Sequence, residues 1–65
     1  MVVTDEIKSS AGDLEQYKQW RSWMPFLTHI GYAYSRDGEP RRYYRHKNGR
    51  YYYIAVTEAE MHRRA

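Results

Sequence analysis

The sequence predicts an α+β domain with an N-terminal helix, a three-stranded antiparallel β-meander and a short C-terminal helix. Apolar residues recur every three or four positions up to residue 27, and the apolar period changes to two after Gly31. A Thr-x-x-Glu pattern then follows the last predicted strand. A chain of 65 residues has room for a single domain.

The first helix is predicted to begin after Asp13, a favourable N-cap residue, with Gln16 at the second position of a capping box. Pro25 disfavours a helical conformation for the residue before it, so the helix should end near Trp23 or Met24. A short turn is predicted between this point and Gly31. The apolar stripe of the helix and turn, interpreted as core, comprises Leu14, Tyr17, Trp20, Trp23, Met24 and Leu27.

Residues 1–12 include the stretch Ser-Ser-Ala-Gly and are predicted to form a flexible or weakly ordered segment. Residues 13–65 then form a single α-β-β-β-α domain. The chain has no cysteine, and its three histidines lie far apart in the sequence, so neither disulfides nor a metal site is expected. No apolar run reaches the length of a signal peptide or a membrane span, which leads us to expect a soluble, cytoplasmic protein without membrane contact.

Two turn signals divide the β-region into three strands. Asp37-Gly38 follows the first strand, and Asn48-Gly49 separates the strands over residues 41–47 and 50–56. Asn-Gly is the preferred centre of a two-residue type I′ turn, which would pair Lys47 with Arg50 and Tyr44 with Tyr53.

This register sorts the strand residues onto two faces of the sheet. The predicted core face, covered by the first helix, carries Tyr32, Tyr34, Tyr43, Tyr52, Ile54 and Val56. The opposite face is predicted to be exposed, because no element is left to cover it, and it carries Arg42, Tyr44, His46, Tyr51 and Tyr53. An exposed aromatic patch of this size is typical of a contact surface.

Positive charge is concentrated in the same region. Residues 1–30 have a net charge of −1 and residues 31–65 a net charge of +4. Arginine interleaved with tyrosine suits nucleic acid, because the cation binds phosphate and the ring stacks on a base. The candidate binding residues are Arg41, Arg42, Tyr44, Arg45, His46, Lys47, Arg50, Tyr51 and Tyr53.

The C-terminal helix is predicted from Thr57 as N-cap and Glu60 three residues later. The order of helix, three strands and helix resembles that of double-stranded RNA-binding domains. Those domains have a basic cluster at the start of the last helix, where this chain has the acidic sequence Thr57-Glu58-Ala59-Glu60. No family is assigned on this basis.

No catalytic motif is present, and the chain has little interior for a substrate cleft, so we expect a non-enzymatic protein without a cofactor.

Two binding functions remain. The exposed face binds DNA or RNA, or the same face binds a protein, because tyrosine and arginine are also frequent hot-spot residues in protein interfaces. The length and the aromatic and basic composition resemble those of short proteins carried by phages and mobile elements. The alternative function is therefore an inhibitor of a host protein or protein–nucleic-acid complex, with homodimer formation as a further option.

Overall fold

The computed structural model describes residues 3–18 and 26–64, which form three helices and one four-stranded sheet. The elements are α1 (Asp5–Ser10), β1 (Gly12–Asp13), α2 (Leu14–Lys18), β2 (Leu27–Tyr34), β3 (Pro40–His46), β4 (Tyr51–Ala55) and α3 (Glu58–Arg64). The α+β class and the C-terminal helix are confirmed. The three-stranded antiparallel sheet is corrected to a four-stranded mixed sheet of order β1-β4-β3-β2, in which β1 runs parallel to β4.

The N-terminal segment contains two elements, although the sequence predicts weak order over residues 1–12. The Thr4 hydroxyl accepts a hydrogen bond from the Ile7 N–H at 3.3 Å and so caps α1. Asp5 and Glu6 lie in the first turn, where carboxylates are favourable. Ile7 is buried, and Gly12 then pairs with Tyr52 in β4.

The predicted cap of the next helix is confirmed at its first turn. An Asp13 carboxylate oxygen accepts a hydrogen bond from the Glu15 N–H at 2.9 Å, and Leu14 is fully buried. The predicted continuation of this helix to Trp23 or Met24 lies outside the described residues.

Strand β2 begins at Leu27, where the sequence predicts a turn extending to Gly31. Leu27 pairs with His46, and the Lys47 N–H donates to the Phe26 carbonyl at 3.0 Å, so the pairing with β3 extends to the end of that strand. The register shifts between His29 and Gly31, as in a β-bulge. Pairing along the whole length of β3 therefore overrides the local turn signal.

The β3–β4 hairpin has a three-residue loop, and the predicted two-residue type I′ turn is wrong. The His46 N–H donates to the Arg50 carbonyl at 2.8 Å, and the Gly49 N–H donates to the His46 carbonyl at 2.9 Å. Gly49 has a φ of 91°, whereas Asn48 has no positive φ, which a type I′ turn requires. The register moves by one residue, so that Tyr44 pairs with Tyr52 instead of Tyr53.

This shift places β4 side chains on the opposite faces from those predicted, because side chains alternate along a strand. On the face that we call the Tyr43 face, Tyr43 is fully buried in a cluster with Ile7 of α1. On the other face, the Tyr44 face, Leu14 of α2 packs against Tyr44 and Tyr52. Both faces are therefore covered within the described part of the chain.

Helix α3 packs against β2 and β3. Thr57 caps it as predicted, with its hydroxyl accepting from the Glu60 N–H at 3.2 Å, and Met61 is buried. The Glu60 carboxylate accepts a hydrogen bond from the Tyr32 hydroxyl at 2.9 Å. Within residues 3–18 and 26–64, no helix has the length and apolar character needed to span a membrane.

Candidate functional site

The nine candidate binding residues lie on both faces of the sheet and at the hairpin turn. The sequence predicts one exposed face for five of them, and the structure divides these five between the two faces: Arg42, Tyr44, His46, Tyr51 and Tyr53. Two of the nine, Lys47 and Arg50, lie in or next to the hairpin turn. Arg41, Arg45, Tyr51 and Tyr53 belong to the Tyr43 face, while Arg42, Tyr44 and His46 belong to the Tyr44 face. Alternation along β3 separates Arg41 and Arg45 from Arg42, and the one-residue shift in register moves Tyr51 and Tyr53 away from the face of Tyr44 and His46.

Tyr44 and His46 are core residues, each with an exposed fraction of 6%. Three aromatic rings surround His46 at centroid distances of 5.7 Å for Tyr17, 5.9 Å for Phe26 and 6.1 Å for Tyr52. Burial raises the pKa of Tyr44, an effect that the nearby Arg42 opposes. Neither Tyr44 nor His46 presents a ring face to a large ligand.

His46 also helps to hold the turn. Its Nδ1 accepts a hydrogen bond from the Asn48 N–H at 3.0 Å, so the proton of the neutral ring is on Nε2. The Asn48 side-chain oxygen accepts from the Arg50 N–H at 2.9 Å. These two bonds stabilise the three-residue loop and fix the direction in which its side chains leave the sheet.

Arg41 and Arg42 are engaged with carboxylates and rings of the protein itself. The Arg41 Nε lies 2.7 Å from a Glu39 oxygen, and its guanidinium lies 3.8 Å from the centre of the Tyr53 ring. Burial has the largest single effect and lowers the pKa of Arg41, but the hydrogen bond to Glu39 and the interactions with Tyr43 and Tyr53 together leave that pKa raised. An Arg42 nitrogen lies 3.9 Å from Glu60. Both arginines therefore serve mainly to hold the sheet, its turn and α3 together.

Carboxylates are grouped at the end of the sheet that contains the β2–β3 turn, opposite the Asn48-Gly49 turn. Asp37 and Glu39 lie in the β2–β3 turn, and Glu58 accepts a hydrogen bond from the Tyr34 hydroxyl at 2.9 Å. That bond raises the pKa of Tyr34. We call this the acidic end of the sheet.

The opposite end carries three exposed cations, Arg45, Lys47 and Arg50, which we call the basic tip. None of these side chains forms an ion pair within the described residues. Glu39 and Arg45 are six positions apart, so strand geometry separates the acidic end from the basic tip by roughly 20 Å, since each residue advances about 3.3 Å. The charge asymmetry of the sequence thus becomes a charge gradient along the hairpin.

Two open grooves flank the turn at the basic tip. The first, the Phe26 groove, has a volume of about 540 Å³ and is lined by Phe26, Thr28, Arg45, His46, Lys47 and Gly49. The second, the Tyr51 groove, has a volume of about 520 Å³ and is lined by Ser10, Gly12, Gly49, Arg50, Tyr51 and Tyr52. Among residues 3–18 and 26–64, no carboxylate lines either groove. Asp13 lines a smaller depression beside Arg50, and its carboxylate caps α2.

Comparisons of the chain with protein-family models, with curated proteins and with solved structures gave no match. The site is therefore interpreted from its own chemistry. Within residues 3–18 and 26–64, no group of three or more histidine and carboxylate side chains is arranged to bind a metal ion.

Sequence reasoning missed Phe26 and Thr28. Phe26 is 42% exposed, and the Lys47 ammonium lies 5.3 Å from the centre of its ring. The β-branched residues Thr28 and Ile30 precede Tyr32 at intervals of two, a pattern that favours a strand starting before Gly31. A strand that starts at Thr28 instead of after Gly31 would place Phe26 beside the end of β3.

Proposed function

We propose that this chain is a non-enzymatic nucleic-acid-binding protein and that the basic tip contacts the phosphates, with the cytoplasm as the proposed compartment. The strongest support is the clustering of Arg45, Lys47 and Arg50 around one turn, where no carboxylate from the described part of the chain lines either adjoining groove. Each cation that neutralises a phosphate releases counterions, which favours association at low salt.

The charge gradient along the hairpin gives such a ligand one preferred orientation. A polyanion is attracted more strongly to the basic tip than to the acidic end, where the exposed carboxylates of Asp37, Glu39 and Glu58 offset the charges of Arg36, Arg41 and Arg42. Arg41 and Arg42 are closer to those carboxylates, so they contribute less to binding than their position in the sequence predicts. This assignment reduces the predicted set of basic contacts from five residues to three.

Salt titration of the affinity tests the proposal. Three phosphate contacts to a single strand give a slope of about −2 in a plot of log affinity against log salt, and hence a loss of roughly 20-fold between about 50 and 200 mM salt. Fluorescence anisotropy with labelled DNA and RNA oligonucleotides measures this slope. An affinity that does not change with salt would overturn the proposal.

Two double variants that remove the same number of positive charges test which surface binds the nucleic acid. The double variant Arg45→Gln/Arg50→Gln should bind at least tenfold more weakly at low salt and should have a shallower slope. The control Arg36→Gln/Arg63→Gln removes two exposed cations that line neither groove, and its affinity should stay within about twofold of the wild type. Equal losses in both variants would show that net charge alone attracts the ligand.

Strand β2 favours the second candidate, a small phage-type inhibitor that binds a host protein or pairs with a second copy. Leu27–Tyr34 is one of the two edge strands of the sheet in the described structure, and its eight residues include no Asp, Glu, Lys or Arg. Such an edge can add a strand from a partner. Binding of this kind would persist at high salt and in Arg45→Gln/Arg50→Gln, which distinguishes it from phosphate binding.

A further inference from the structure

The Phe26 groove combines the two kinds of contact that a nucleotide requires. Its aromatic wall is the Phe26 ring, which is 42% exposed, and its floor includes His46. Its polar rim carries Arg45, Lys47 and the exposed residue Thr28. A volume of about 540 Å³ lies within the range of small-molecule sites. A base can stack on the ring while the phosphate next to it meets the ammonium of Lys47.

The hairpin turn does not project as a free two-stranded ribbon. The Lys47 N–H donates to the Phe26 carbonyl at 3.0 Å, so the β2 side of the sheet extends as far as the turn. On the other side, Ser10 and Gly12 line the Tyr51 groove next to Gly49. A β-ribbon that reads duplex DNA enters a major groove about 12 Å wide, which these flanking segments would obstruct.

Gly49 lines both grooves and has no side chain to separate them. Apart from its two chain neighbours, no atom of the described residues lies within 4 Å of a Cβ placed on Gly49, so these residues leave the space above the turn open. A nucleic-acid backbone can therefore cross the turn from the Phe26 groove to the Tyr51 groove. Arg50 and the half-buried Tyr51 then lie beside the next nucleotide.

From these features we infer that the ligand is single-stranded nucleic acid, held with one base stacked on Phe26 and its backbone passing over Gly49. The inference rests on the proposed nucleic-acid function and narrows its ligand class. Stacking on the Phe26 ring favours a single strand over a duplex, because the base faces of a duplex are already stacked on one another. Deoxyribose and ribose strands share this chemistry, and the experiment below includes both.

The test compares oligo(dT), oligo(U) and a DNA duplex of the same length, each labelled for anisotropy, at low salt. The wild type should bind at least one of the two single strands more tightly than the duplex. Phe26→Leu keeps an apolar side chain but removes the stacking surface, and should weaken binding to that strand about tenfold. Its affinity for the duplex should stay unchanged.

Tyr34→Leu is the matched control, since Tyr34 is 40% exposed and lies at the acidic end. Its single-strand affinity should equal that of the wild type. Thr28→Glu is a second variant, at an exposed position where a carboxylate in the Phe26 groove should repel phosphate and weaken binding severalfold. Circular dichroism establishes that each variant is folded, and the Thr28 variant keeps the test valid if Phe26→Leu does not fold.

Two results would overturn the inference and leave the proposed function standing. One is duplex binding tighter than binding to either single strand. The other is full single-strand affinity in both Phe26→Leu and Thr28→Glu, together with lost affinity in Arg45→Gln/Arg50→Gln. If the wild type binds none of the three oligonucleotides at low salt, the proposed function and the inference both fail.

Discussion

Gly49 sets the geometry of the β3–β4 hairpin. Its φ of 91° lies in the left-handed region, which residues with a Cβ adopt at a cost of about 1 to 2 kcal/mol. Gly38 has a φ of 85° at the same position of the β2–β3 turn, whose loop is also three residues long. Both hairpins therefore use a glycine at the third loop position, a geometry typical of three-residue hairpin loops.

Replacing Gly49 with alanine should lower the free energy of unfolding by about 1 kcal/mol, because alanine is strained at a positive φ. Gly12→Ala is the control. A Cβ there would lie 3.7 Å from the Tyr52 ring, an ordinary contact, and Gly12 has no positive φ. Its stability should be unchanged or slightly higher. Urea unfolding measures both values, and equal stability of the two variants would contradict the observed loop geometry.

At the scale of the element, tyrosines that follow one another in the sequence point to opposite faces of a strand. Tyr43 and Tyr44 are consecutive in β3, and three tyrosines are consecutive in β4. Such runs do not alternate between apolar and polar residues, and they are typical of strands that are covered on both sides. In this sheet, α1 covers one face and α2 the other.

Engineered disulfides test the register of this hairpin in a chain without native cysteine. Arg41 pairs with Ala55, next to the hydrogen bond from the Val56 N–H to the Pro40 carbonyl. Such a non-hydrogen-bonded pair has a Cα separation of about 4.5 Å, which a disulfide can bridge. Arg41→Cys/Ala55→Cys should therefore oxidise fully within one chain. Closing a loop of roughly 15 residues should also raise the free energy of unfolding by up to about 3 kcal/mol.

The control is Arg42→Cys/Ala55→Cys, a pair that the type I′ register would place side by side. In the observed register these residues point to opposite faces of the sheet, so the two thiols should remain free. Mass spectrometry after thiol alkylation counts the free thiols in each variant. Efficient crosslinking of the control pair would contradict the observed register.

At the scale of the whole molecule, stability depends on a segment that the sequence predicts to be weakly ordered. Ile7 of α1 is buried in the cluster of Tyr43 and Ile30, and half-buried residues of β4 pack around the cluster. A core in a chain of this size contributes only about 3 to 5 kcal/mol of net stability. Covering both faces of the sheet therefore matters more here than in a larger domain.

Ile7→Ala should lower the free energy of unfolding by about 2 to 5 kcal/mol, because it leaves a cavity against Tyr43. The neighbouring exposed residue provides the control, and Glu6→Ala should change the free energy by less than about 0.5 kcal/mol. Urea unfolding measures the difference. If both variants were equally stable, α1 would not cover the sheet, and the prediction of a weakly ordered N-terminal segment would be correct.

Features that depend on a few adjacent residues could be predicted from the sequence. The N-caps at Asp13 and Thr57 are found where the sequence predicts them. Turns also occur at Asp37-Gly38 and Asn48-Gly49 as predicted, although the loop of the second has three residues instead of two. The concentration of positive charge in the hairpin is likewise a property of composition. Caps and turns depend on the backbone preferences of a few residues and on side-chain hydrogen bonds that span two or three positions. Both can be inferred from the local sequence.

The distribution of the tyrosines over two faces and the grooves of the basic tip were decided only by the tertiary structure. They depend on contacts between distant residues, such as Ile7 with Tyr43 and Gly12 with Tyr52. Asn-Gly suits both a two-residue and a three-residue loop, so the local preference does not fix the register. A shift of one residue nevertheless exchanges the faces of a strand, and burial on both faces of the sheet selects the register that is observed.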